Sequence, residues 1–118
     1  MIYKEVPEFY SDTQNGLDSN DPDVVLSALL STVMKGSSYD LSVSTTSRFL
    51  SHPDKYIRGA AVECISHIAR IWNIVPVDFL SHVNLALNDS DGWVKGKAEN
   101  AVDDLEVFIK GYKRPKTV

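Results

Sequence analysis

A chain of 118 residues, 43% apolar and 24% charged, has the size and composition of one ordinary globular domain, able to bury a core without disulfides or a metal. Its single cysteine, Cys64, excludes an intrachain disulfide framework, and no apolar run is long enough to span a bilayer. The formal charge of −4 is uneven: Lys110, Lys113, Arg114 and Lys116 close the chain without an acid, which leaves eight of the 12 bases against all 16 acids before them, a net of −8. An acidic body disfavours nucleic acid and favours a basic partner, although mild acidity also serves solubility alone.

Taken in chain order, residues 1–20 read as an irregular lead-in whose Tyr3, Phe9 and Tyr10 could cover the first helix. The opening Met1-Ile2-Tyr3-Lys4-Glu5-Val6-Pro7 has neither the basic lead nor the apolar run of a signal peptide, so the expected location is the cytoplasm. A first helix is predicted over 22–35, opened by Asp21 as cap and Pro22 in the first turn. Two helix pairs follow, 40–51 with 54–71 and, after Pro76, 77–88 with 91–110. The helix over 40–51 has the poorest propensity, because its middle is Ser42-Val43-Ser44-Thr45-Thr46-Ser47. Asp89 is a further candidate cap, Pro53 suits a first helical turn, and the Asn88-Asp89-Ser90 sequon reads as a helix start. Residues 111–118 read as a basic, flexible tail. The predicted fold class is all-α, with about five helices and no sheet.

The two pairs are copies of one unit. A shift of 37 residues lays Leu50, Asp54, Gly59 and Ala61 over Leu87, Asp91, Gly96 and Ala98. The aromatic pair Tyr56 and Trp93, the aliphatic pair Ile57 and Val94, and the basic pair Arg58 and Lys95 recur in kind. Apolar residues fall at 57, 61, 64, 65, 68 and 72 and again at 94, 98, 101, 102, 105 and 109, both at the helical period. A weaker third copy begins at Asp21-Pro22-Asp23-Val24-Val25. Glycine inside a helix costs about 1 kcal/mol against alanine, and its recurrence at 59 and 96 points to close approach there, of a neighbouring helix in the preferred reading or of a partner's backbone in the other.

The segments Pro53-Asp54-Lys55-Tyr56-Ile57-Arg58 and Ser90-Asp91-Gly92-Trp93-Val94-Lys95 resemble the opening of the second helix in HEAT repeats. The resemblance covers residues 21–110 and implies a right-handed solenoid of antiparallel helix pairs. Ser90 and Lys95 depart from the pattern in the last copy, as do Gly59 and Gly96 after the base. Small single-domain HEAT-like proteins with segments like 51–61 and 95–106 also resemble bacterial immunity proteins of toxin systems. That resemblance implies a protein partner, and the acidic body suits a basic toxin domain.

A helical wheel puts Gly59, Glu63, Ser66 and Arg70 on the arc opposite the core, with Gly96, Asn100, Asp103 and Val107 as their counterparts. The flank carrying Val62 and Ala69 becomes Glu99 and Glu106 in the last copy, as a terminal, solvated repeat requires. In HEAT-like proteins the second helices line the concave partner surface. Carried onto this chain, the resemblance implies partner-binding residues Glu63, His67, Arg70, Asn100, Asp103 and Asp104, with Tyr56 and Trp93 as rim anchors or packing groups.

Catalytic and metal chemistry has no support in the residue pattern. His52, His67 and His82 fall on three predicted elements, and Glu63 with His67 is a single surface pair, so no metal or cofactor is expected. No phosphate loop, nucleophile elbow or cysteine pair occurs, and Cys64 reads as a buried structural thiol. The expected function is non-enzymatic protein binding, with neither nucleic acid nor membrane as partner. A general HEAT-type adaptor is the alternative. HEAT-like alkylpurine DNA glycosylases share only the architecture and would need a basic concave face.

Overall fold

Each long helix is opened by an aspartate whose side chain takes up backbone N–H groups that a helix start leaves free. In the computed structural model, which describes residues 13–116, Asp21 accepts from the Asp23 N–H ahead of α2 (Pro22–Lys35). Asp54 accepts from Tyr56 and Ile57 at 2.8 and 3.1 Å ahead of α4 (Lys55–Trp72), and Asp91 from Trp93 at 2.9 Å ahead of α6 (Gly92–Phe108). Ser38 caps α3 (Tyr39–Phe49) through the Leu41 N–H, and α5 (Val77–Leu87) begins after Pro76 without a side-chain cap. Gly36 and Asn73 end α2 and α4 in the left-handed conformation, at φ 65° and 58°.

Two sequence expectations about caps are corrected here. Asp89 does not cap α6; its Oδ1 accepts from the Asp91 N–H, and both its oxygens bind Arg58. Pro53 precedes the α4 cap and so lies outside the helix. The lead-in also holds a five-residue helix, α1 (Thr13–Leu17), which packs on α2 and buries Leu17. Tyr3, Phe9 and Tyr10 lie outside the described residues.

Among the described residues there are six helices and no strand. α2, α4 and α6 form a row in which α4 is central, and its contact with α6 is the most extensive between any two helices. α3 packs on α2 and α4, and α5 packs on α6, giving a second layer. The core lies between the layers and along the row. Ile57, Ala61, Cys64, Ile65 and Ile68 are buried on α4, as are Val94, Ala98, Ala101, Val102 and Leu105 on α6. Trp72 and Ile109, which end the two series, are partly buried against the same core. Each fully buried large aliphatic contributes about 1.5–3 kcal/mol by leaving water. That packing outweighs the low helix propensity of α3, whose Ser42, Thr45 and Thr46 are themselves buried. Burial raises the Cys64 thiol well above the ordinary cysteine range, so it is an inert core group. No described helix is long and apolar enough to cross a membrane.

Candidate functional site

α4 and α6 lie side by side, and between them runs an open groove of about 410 Å³. Glu63, Ser66 and His67 of α4 and Lys97, Asn100, Asp103 and Asp104 of α6 line it. The i, i+3 and i, i+4 spacings within each helix set these side chains in ranks along one wall apiece.

The first half of the groove is internally neutralised. Glu63 takes Lys97 Nζ at 2.7 Å on one oxygen and His67 Nε2 at 3.2 Å on the other. The His67 hydrogen bond, aided by Lys97, outweighs partial burial and lowers the Glu63 carboxyl to about 2. His67 Nδ1 lies 3.2 Å from the exposed Arg70 guanidinium, so Glu63, His67 and Arg70 form one chain of contacts along α4. Lys97 Nζ also stands 4.6 Å from the centre of the Trp93 ring, and Trp93 meets Tyr56 edge-to-face at 5.6 Å. Trp93 and Tyr56 are therefore both packed and accessible, with 46% and 48% of their surface exposed.

The second half is acidic and open. The side chains of Asn100 and Asp104 have no hydrogen-bond or ion-pair partner among the described residues. Asp103 accepts from Arg114 at 2.8 Å, and Arg114 also binds both oxygens of Glu106. The basic tail thus sets one arginine on the acidic end of α6. At exposed positions such pairs are worth at most about 1 kcal/mol and yield readily to another cation.

The structure gathers Glu63, His67, Asn100, Asp103 and Asp104 into one groove, puts Arg70 beside His67, and sets Tyr56 and Trp93 together at the helix starts. Two residues assigned to the outward arc, Gly59 and Ser66, are instead buried. A wheel fixes angles relative to one apolar stripe and does not register the neighbouring helix that covers the opposite side. Glycine packing is close at Gly59, where an added Cβ would lie 2.7 Å from Trp93 Nε1; a Cβ on Gly96 would meet no described atom within 4 Å beyond its chain neighbours and its own helix backbone.

Lys97 is absent from the surface that the sequence suggests, yet it is the only described groove-lining base that contacts both helices' side chains. Its signal was the Trp93-x-x-x-Lys97 spacing, which stacks a cation on an indole one turn away. Arg58 was also missed as a structural tie. It binds Asp89 at 2.9 and 3.1 Å, and donates to the backbone carbonyls of His52 and Pro53.

Ser66 and His67 are consecutive in a helix and diverge, so they do not form a nucleophile and base pair. Among the described residues no group of three or more His, Cys, Asp or Glu could hold a metal ion. No protein-family description, curated protein or solved structure matches the chain.

Proposed function

We propose that this chain is a HEAT-like repeat protein that acts in the cytoplasm by binding another protein, without catalysis, and that the partner is a basic toxin domain which it neutralises as an immunity protein. The observation that carries this reading is the open groove between the two long helices, whose Asn100 and Asp104 side chains have no protein partner among the described residues and whose Asp103 already holds an arginine. A guanidinium or ammonium from a partner satisfies those acceptors with charge-assisted hydrogen bonds, and the Tyr56–Trp93 pair offers apolar area at the other end. The row of α2, α4 and α6, backed by α3 and α5, supports the repeat reading, as does the matching burial of α4 and α6. Blocking a basic active site needs only that carboxylates occupy the place meant for phosphates.

Co-expression with the product of the adjacent open reading frame tests this. The neighbour alone is expected to arrest growth, and the chain to restore growth and co-purify with it. Asp103→Lys with Asp104→Lys should weaken the complex about tenfold or more, with little change in melting temperature, since both residues are on the groove surface. A harmless neighbour that does not bind, or a complex untouched by the double substitution, contradicts the proposal.

A further inference from the structure

Gly59 and Gly96 hold the same place in two copies of one helix, 37 residues apart, and have opposite surroundings. A Cβ on Gly59 would lie 2.7 and 2.8 Å from Nε1 and Cδ1 of Trp93, so the indole of α6 fills the space a side chain would need. The same indole packs edge-to-face with Tyr56, three residues before that glycine, and Lys97, one turn after Trp93, reaches Glu63. α4 thus receives α6 through an aromatic ring, a glycine notch and an acceptor one turn further on. α6 carries the same receiving set in the same register: Trp93 for Tyr56, Gly96 for Gly59 and Asn100 for Glu63.

On α6 that set is empty. Beyond its chain neighbours and its own helix backbone, no described atom comes within 4 Å of a Cβ on Gly96; Trp93 is nearly half exposed, and Asn100 and Glu99 are exposed beside the notch. Further along the helix, Arg114 lies on Asp103 and Glu106, so the unoccupied part is the first half of α6.

We propose that this first half of α6 docks a helix of a partner protein that opens with an aromatic residue and carries a base four residues later. The chemistry of the occupant follows from continuity with the α4–α6 interface. Its ring enters the Gly96 notch against Trp93, and its base meets Asn100 and Glu99, as Trp93 and Lys97 do one repeat earlier. The surface shares Asn100 with the groove and Trp93 with the aromatic pair at its end but leaves out Asp103 and Asp104, and it rests on the register of α4 and α6 and not on the toxin reading.

The intact chain, isotope-labelled for amide spectra, is titrated with a stapled helical peptide of the 91–108 sequence. Saturable shifts centred on amides 93–100 are expected. A peptide carrying Trp93→Ala should bind about tenfold more weakly or not at all, and so should the wild-type peptide to a Gly96→Leu chain. Gly96→Leu projects into open space, and its own spectrum reports that the fold is kept. No shift up to about 1 mM peptide, equal binding of the Trp93→Ala peptide, unchanged binding to Gly96→Leu, or shifts centred on Gly59 through displacement of α6 would each overturn the proposal.

Discussion

α4 and α6 carry the same apolar pattern and bury it alike, yet their far sides differ. α4 has α2 on one side of the row and α6 on the other, and its Gly59, Val62, Ser66 and Ala69 are all buried. α6 has α4 on one side only, and at the corresponding positions it carries Gly96, Glu99, Asp103 and Glu106, of which the three acids are exposed. The apolar stripe at positions such as Ile65 and Val102 makes each helix part of the fold; the opposite flank decides whether the row continues. Where the flank is small and apolar a neighbour closes over it. Where it is charged, solvent and the tail's Arg114 take the neighbour's place.

Reversing the flanks should have the largest effect. Val62 is 1% exposed and part of the core, so Val62→Glu buries an unpaired charge and should cost about 4 kcal/mol in urea unfolding. Glu99→Val at the same register should change stability by less than about 0.5 kcal/mol. Equal effects at the two positions would remove the distinction between an interior and a terminal helix.

Next comes the tie between α4 and the loop that precedes α6. Arg58→Ala frees Asp89 and the carbonyls of His52 and Pro53, and should cost about 2 kcal/mol. Its counterpart Lys95 is exposed, and Lys95→Ala should stay within about 0.5 kcal/mol of wild type by the same measurement.

A smaller effect separates the groove's two walls by pH. The Glu63 carboxyl is lowered from 4.5 to about 2, first by His67 and then by Lys97 against the pull of burial. A carboxyl lowered by folding stabilises the native state above its unfolded value and loses that contribution as pH falls through the folded one. Wild type should therefore exceed Glu63→Gln by about 1–2 kcal/mol at pH 6, allowing for solvent screening of a partly exposed group. The gap should close between pH 4.5 and 2. A gap that is constant with pH would assign the effect to packing.

Much of this contrast is legible in the residues themselves. The 37-residue register places Ile57, Ile65 and Ile68 over Val94, Val102 and Leu105, all of them buried, because one apolar stripe per helix follows directly from the helical period. The exchange of Val62 and Ala69 for Glu99 and Glu106 marks the terminal flank before any coordinates. Glu63, His67, Asn100, Asp103 and Asp104, which the repeat resemblance puts on one surface, line the same groove. What escapes is every feature that depends on two helices at once. Gly59 and Ser66 look outward on a wheel, yet Gly59 lies against Trp93 of α6 and Ser66 is buried in the groove. Arg58 meets Asp89 31 residues away, in a loop whose position only packing determines. Lys97 reaches Glu63 34 residues away, which turns an apparently acidic wall into a neutral one.

Unfolding of the paired variants Gly59→Ala and Gly96→Ala tests most directly whether α4 and α6 are one helix in two settings, filled and open. Both gain helix propensity, about 0.5–1 kcal/mol. At Gly96, where a Cβ would meet nothing described within 4 Å beyond its chain neighbours and its own helix backbone, the gain should appear as added stability. At Gly59 the new methyl must drive the Trp93 ring away, so a net loss of about 1 kcal/mol is expected, with indole fluorescence shifted to the red. Stabilisation of equal size by both substitutions, with unchanged fluorescence, would contradict the account.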